Sequence, residues 1–64
     1  MNTLFLHFNA DGTIKKGSLD KGGKVQNLEI GKLWEQYQIL VKTGAKPIIR
    51  SYPSLGEIVH MINY

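Results

Sequence analysis

A chain of 64 residues without cysteine forms at most one small domain, and neither disulfides nor thiolate metal sites hold it together. Its apolar fraction of 42% and net charge of +3 are typical of a folded globular chain rather than a disordered one. His7 and His60 lie far apart in sequence with no carboxylate at ligand spacing, so we expect no metal and no other cofactor. We therefore predict a single domain over residues 1–64.

The apolar runs of the chain are short. The longest early run, Leu4 to Leu6 with Phe8 beyond it, is far too short for a membrane span or for the core of a signal peptide, and no basic region precedes it. We expect a cytoplasmic protein with no membrane partner. Because the chain opens at Met1, we also expect a complete gene product whose function belongs to this domain.

The first part of the chain predicts a β-hairpin. Residues Thr3–Phe8 are rich in β-formers, Asn9–Gly12 suits a type I turn closed by a left-handed glycine, and Thr13–Leu19 returns as the second strand. A second turn is predicted at Asp20–Lys24. Val25–Ile30 then forms a third strand, or it belongs to an early helix start capped by Asn27.

The next segment predicts an amphipathic helix. Lys42 near its C-terminus suits the helix dipole, and Gly44 stands where a left-handed C-terminal glycine is expected. We expect Trp34 and Tyr37 to lie in the core, because they share the apolar stripe. The stripe consists of Ile30, Leu33, Trp34, Tyr37, Leu40 and Val41.

The last part of the chain predicts a short strand and a final helix. Pro47 resets the chain to an extended path, and Ile48–Tyr52 has the composition of a strand. Ser54 and Glu57 match a capping box after Pro53 and predict a helix in which Gly56 is a weak point. Its apolar stripe would be Leu55, Ile58, Val59 and Ile62.

These elements predict a small two-layer α+β domain of order ββ(β)αβα. We expect a three- to four-stranded, mostly antiparallel sheet with both helices on one face. The last strand would run parallel to the first through a right-handed crossover, in the spatial order 3-2-1-4. Leu4, Leu6 and Phe8 would face the helices, while Phe5 and His7 would face the other way.

A two-layer fold leaves the far face of its sheet uncovered, and this is the first candidate for function. The apolar side chains on that face are either exposed singly, as on most protein surfaces, or they form one contiguous patch for dimerisation or for a protein partner. Ile39 adds to the case, because it lies off the main helix stripe. The residues that we predict to bind a partner are Phe5, His7, Ile39 and Tyr52.

Basic residues around the second hairpin are the second candidate. They are either a solvated edge that prevents aggregation or a phosphate-contacting surface, to which Arg50 beside Tyr52 would contribute. No aromatic ladder and no helix-turn-helix pair accompanies them. The candidate nucleic-acid-binding residues are Lys15, Lys16, Lys21, Lys24 and Arg50.

Catalytic patterns are weak in this chain, and we predict no catalytic residue. His60 lies three residues from Glu57 on the predicted last helix, a spacing that favours a surface pair over an acid–base couple. A small ribonuclease-type toxin would use a set such as His7, Lys15 and Arg50, but no motif selects these residues. The glycines match no phosphate-binding loop.

The leading hypothesis is therefore a non-catalytic protein that binds a protein partner stoichiometrically, as a regulator or inhibitor of the size often encoded by phages or mobile elements. The alternative is a basic nucleic-acid-binding regulator, whose affinity would fall steeply with salt. A homodimer through the free sheet face is compatible with the first hypothesis.

Overall fold

The computed structural model describes the whole chain from Met1 to Tyr64 and contains five strands, one α-helix and one short 3-10 turn. The strands pair in the order β3-β2-β1-β5-β4, and every pair is antiparallel. The helix packs on one face of this sheet. The elements are β1 Asn2–Asn9, β2 Ile14–Lys21, β3 Lys24–Gln26, α1 Ile30–Lys42, β4 Ile48–Tyr52, the 3-10 turn Pro53–Leu55 and β5 Glu57–Asn63.

Local side-chain hydrogen bonds form the first hairpin. The Asp11 carboxylate accepts a hydrogen bond from the Thr13 backbone N–H at 2.9 Å and another from the Thr13 hydroxyl, and Gly12 has a φ of 89°. This geometry confirms the predicted turn and directs β2 back along β1. A bulge near Lys15 shifts the register, because Lys16 pairs with His7 and Ile14 pairs with Phe8.

The segment between the second turn and the helix matches neither of the two alternatives, a strand over Val25–Ile30 or a helix capped by Asn27. Lys24–Gln26 forms a strand of only three residues, fully exposed at the edge of the sheet. The helix begins at Ile30, where Glu29 occupies the N-cap position without a side-chain hydrogen bond, so the predicted cap at Asn27 is wrong. The predicted end of the helix is confirmed, since Gly44 has a φ of 103° directly after the last turn.

The core lies between α1 and the sheet. Leu4 and Leu6 of β1 point toward the helix and are completely buried, as the alternation of β1 predicts. Gly17 of β2 lies directly beneath the helix, where an added Cβ would stand 2.7 Å from Leu33 Cδ1. The glycine therefore permits the close contact between helix and sheet. The buried cluster is Leu4, Leu6, Leu19, Leu33, Leu40 and Ile62.

The predicted final helix is wrong, because Glu57–Asn63 forms β5 beside the central strand β1. Three β-branched residues in this segment favour a strand, and as a strand it supplies Ile62 to the core while pairing with both neighbours. Gly56 is not inside a helix. It closes the 3-10 turn in the left-handed region, with φ 61° and ψ 37°, and its N–H bonds the Pro53 carbonyl.

The α+β class is confirmed, but the topology within it differs from the prediction. One helix covers the sheet instead of two, and five strands replace three or four. The strand at Ile48–Tyr52 has the predicted bounds and the predicted edge position, but it pairs with β5 instead of β1. The position next to β1 is taken by β5, so no parallel pair forms. The helix of the chain is too short and too polar to cross a membrane.

Candidate functional site

The open face of the sheet, opposite α1, carries apolar side chains at its centre. Cross-strand partners share a face, so the pairings place Phe5 of β1 between Met61 of β5 and Ser18 of β2. Ile48 of β4 extends this transverse row on the far side of Met61. Phe5 and Met61, side by side in this row, form an apolar strip in the middle of a face that the helix does not cover.

The next transverse row is mixed in character. His7 pairs with Val59 on one side and with Lys16 on the other, and Arg50 pairs with Val59. A cation therefore stands at each end of this row. Tyr52 lies two residues beyond Arg50 on β4, so it shares the same face.

Together these rows form a groove of about 510 Å³ on the open face. Its walls come from four strands, β1, β2, β4 and β5, and from Leu55 of the 3-10 turn. Concave, largely apolar sites with a few polar groups are typical of binding sites. The groove is lined by Phe5, His7, Lys16, Ser18, Tyr52, Leu55, Glu57, Val59 and Met61.

A buried carboxylate lies in this groove. Glu57 is only 8% exposed, and its side chain accepts a hydrogen bond from Nδ1 of His7. Lys15 approaches the other carboxylate oxygen, with Nζ 3.7 Å from Oε2. The hydrogen bond from His7 holds the pKa of Glu57 below its ordinary value; burial opposes this shift, and the nearby Lys15 and Lys16 assist it. The carboxylate is therefore ionised, and its charge is balanced within the protein.

The lysines of the predicted basic cluster do not share one surface. Lys16 lies on the open face with Arg50, and the Lys15 side chain reaches Glu57. Lys21 and Lys24 pair with each other at the opposite end of the sheet, and strand alternation directs Lys21 toward the helix side. Only part of the predicted nucleic-acid surface is therefore contiguous.

His60 lies on the helix side of the sheet, so the predicted surface pair with Glu57 is wrong. Its Nδ1 lies 2.9 Å from the Tyr37 hydroxyl, and its ring centre lies 4.6 Å from that of Phe8. Burial lowers the pKa of His60, and burial raises the pKa of Tyr37. Both shifts fit a neutral His60 imidazole that accepts a hydrogen bond from the Tyr37 hydroxyl.

The expectation that Trp34 and Tyr37 belong to the core holds for one of them. Tyr37 is half-buried against the core cluster, whereas Trp34 remains 39% exposed and stacks on Tyr37 with ring centres 5.4 Å apart.

Three of the four predicted partner-binding residues meet in the groove, namely Phe5, His7 and Tyr52. The fourth, Ile39, is exposed on α1 and lies outside the groove.

Sequence reasoning missed the groove residues of β5 because it placed them on a helix. Alternation was the signal that could have found them. Glu57, Val59 and Met61 face the groove, while the intervening Ile58 and His60 face the helix.

The groove is lined by one serine and one histidine, Ser18 and His7. No hydrogen bond joins the Ser18 hydroxyl to His7, whose Nδ1 bonds Glu57. His, Cys, Asp and Glu residues nowhere form a group of three that could hold a metal ion. Protein-family models, curated proteins and solved structures were compared with this chain, and none of them matches it.

Proposed function

We propose that the protein is a non-catalytic binding protein that acts stoichiometrically on a protein partner, as a regulator or inhibitor, through the groove of its open sheet face. The observation that carries this proposal is the apolar strip of Phe5 and Met61 at the centre of that face. Small antiparallel sheets normally present polar side chains on a solvated face. An apolar groove kept there gives a partner's side chains a place to become buried.

The charges around the groove favour a partner segment that combines apolar and acidic side chains. Lys16 and Arg50 stand at the two ends of the row beside the apolar strip. Glu57 does not oppose an acidic partner, since Lys15 pairs with its carboxylate and His7 donates a hydrogen bond to it. Such complementarity mainly increases the association rate and the specificity, while the buried apolar contacts supply most of the affinity. We propose that this binding takes place in the cytoplasm.

Nucleic-acid binding is the second candidate, and the placement of Lys16, Arg50 and Tyr52 on one face favours it. The separation of Lys21 and Lys24 from these residues counts against it, because fewer phosphates could be contacted together. The two candidates differ in their response to salt. Phosphate contacts weaken steeply as salt rises, whereas an apolar groove holds its ligand.

The test is capture from the native host lysate with three immobilised proteins: the wild type, Phe5→Thr and Ile39→Thr. The lysate is treated with nuclease, and capture is compared at about 0.1 M and about 0.5 M salt. The higher concentration screens exposed charges more strongly, because the Debye length falls from about 10 Å at 0.1 M toward about 3 Å at 1 M. Threonine is well tolerated in strands, so Phe5→Thr removes the apolar anchor with little damage to β1. Ile39→Thr is the matched control on the helix. Circular dichroism and mass in solution verify that each variant folds.

We expect one host protein to be retained in equimolar amount by the wild type and by Ile39→Thr at both salt concentrations, and to be lost with Phe5→Thr. Retention by Phe5→Thr would refute the role of the groove. Capture that disappears with nuclease or with higher salt would favour the nucleic-acid candidate instead. Cleavage of an added RNA by the wild-type protein would contradict the non-catalytic assignment.

A further inference from the structure

The outer edge of β4 has backbone groups without a partner in the fold. Asn2 and Tyr64 exchange both N–H···O bonds at 2.9 Å, which makes them a hydrogen-bonded pair of the β1–β5 ladder. Hydrogen-bonded and non-hydrogen-bonded pairs alternate along an antiparallel ladder. Carried through the unbroken registers of β5 and β4, this alternation directs the N–H and C=O groups of Arg50 toward β5 and those of Ile49 and Ser51 outward.

The other edge of the sheet lacks these features. There β3 pairs over only three residues, of which Val25 alone directs its backbone outward. The part of β2 that β3 leaves uncovered contains the bulge and the charges of Lys15 and Lys16. Short strands, bulges and lysines are the devices that keep an edge from pairing with another chain. The edge at β4 is extended and carries two isoleucines, with Ile48 43% and Ile49 59% exposed.

We propose that β4 pairs antiparallel with β4 of a second copy of this chain, joining two sheets into one continuous sheet. An edge strand is its own complement under a two-fold axis, so one surface serves both partners. This proposal does not depend on the binding function of the groove. A partner protein's strand at this edge would be a different proposal, and the test separates the two.

The side chains favour a two-fold axis at Ile49 over one at Arg50. A two-fold axis at Arg50 would place the two arginines directly opposite each other, and like charges opposite each other destabilise a ladder. An axis at Ile49 instead sets Ile49 against its copy and Arg50 against Ile48 of the other strand. In this register the outward N–H groups of Ile49 and Ser51 reach the carbonyls of Ile49 and Pro47 in the other copy. Pro47 has no N–H to leave unsatisfied.

The cysteine-free chain allows a direct test of this register. Residues in a hydrogen-bonded antiparallel pair have Cα atoms about 5.5 Å apart, within the range of a disulfide. Ile49→Cys should therefore form a covalent dimer rapidly under mild oxidation. Ser51→Cys, whose counterpart lies several residues away in this register, and Ile39→Cys, exposed on the helix, should cross-link only at the slow rate of random collision.

Sedimentation equilibrium on the unmodified chain supplies the second measurement. We expect twice the chain mass of 7.2 kDa at high concentration and a dimer that weakens at least about tenfold with Ile49→Pro. Proline at this position removes an outward N–H and leaves the bonds to β5 intact, because prolines are accepted on edge strands. Ile49→Lys is a second disrupting variant, and Ile39→Lys is its control.

A wild-type chain that stays monomeric at millimolar concentration would overturn the proposal. An unchanged dimer in both Ile49 variants, provided that circular dichroism shows them folded, would also overturn it. Rapid cross-linking of Ser51→Cys without that of Ile49→Cys would refute the register. Loss of the dimer in the Ile49 variants would support the proposal, and retained capture of a partner by the same variants would show that the groove functions independently of the dimer.

Discussion

At the scale of single residues, Glu57 is a buried carboxylate with a hydrogen bond from His7 and an ion pair with Lys15, and its sequence neighbours predict neither contact. Ser54 and Glu57 have the spacing of a capping box, yet the hydrogen-bond partner of Glu57 is His7, near the other end of the chain. The pairing of β1 with β5 brings them together, because Glu57 pairs with Asn9 and His7 is its diagonal neighbour. No local pattern contains this contact.

Glu57→Gln should therefore change how the free energy of unfolding depends on pH in the acid range. The folded pKa of Glu57 is depressed relative to its ordinary value of 4.5, chiefly by the His7 hydrogen bond. Its contribution to stability is fully present above that value and is lost as the pH falls through the folded pKa. Urea denaturation should show a wild-type midpoint above that of Glu57→Gln at neutral pH and a difference that shrinks below pH 4.5.

Glu35→Gln, on the exposed surface of α1, removes the same charge and is the control for this comparison. Its midpoint should follow that of the wild type throughout. A difference between wild type and Glu57→Gln that persists undiminished in strong acid would contradict the role assigned to the carboxylate.

At the scale of elements, the contact between α1 and β2 depends on the absence of a side chain at Gly17. An added Cβ would lie 2.7 Å from Leu33 Cδ1, 2.9 Å from Leu6 Cδ2 and 3.0 Å from the Phe5 carbonyl. Both leucines are completely buried, so they have little room to move. Gly17→Ala should destabilise the fold by about 1–3 kcal/mol, the usual cost of overpacking a core.

Gly31→Ala is the matched control within the helix. Nothing lies within 4 Å of a Cβ added at Gly31, and alanine is favoured over glycine in helices. This variant should be more stable than the wild type by about 0.5–1 kcal/mol. Chemical denaturation of the two variants measures both effects, and equal effects at the two positions would argue against close packing at Gly17.

The last strand shows how far the sequence predicts the elements. The hairpin turn, the stop of α1 and the bounds of Ile48–Tyr52 follow from local chemistry and are confirmed. The segment from Ser54 to Ile62 carries two incompatible local patterns, a capping box with a helical stripe and an alternation of faces. Pairing with β1 decides between them, and that pairing is a long-range interaction that propensity does not contain. The groove residues of this last strand, Glu57, Val59 and Met61, were missed for the same reason.

Gly56→Ala distinguishes these two patterns in solution. In a helix the change would stabilise the protein by about 0.8–1 kcal/mol, because alanine has the higher helix propensity. In the observed fold Gly56 has a φ of 61°, a left-handed conformation in which a Cβ costs roughly 1–2 kcal/mol. We expect a lower denaturation midpoint with unchanged far-ultraviolet circular dichroism. A higher midpoint would favour the helix.

At the scale of the whole molecule, the helix covers the half of the sheet that contains β2 more than the half that contains β4. It packs chiefly over β1 and β2, while β4 is exposed along its whole length and rests only on β5. The central position of β1 explains why its alternation predicted both faces correctly. The edge of β4, where we propose association between copies, therefore belongs to the less protected half of the fold.

Amide hydrogen exchange followed by nuclear magnetic resonance should reveal this gradient in the dilute monomer. The amides of Leu4 and Leu6 should exchange only with global unfolding, whereas Gln26, in the three-residue β3, should exchange through local opening. Along β4 the protection should alternate, because Arg50 donates its N–H to β5 while Ile49 and Ser51 direct theirs to solvent. Uniform protection along β4 in the dilute monomer would contradict the hydrogen-bond pattern derived from the sheet. Protection gained at Ile49 and Ser51 as the protein concentration rises would indicate that the edge of β4 pairs with a second copy.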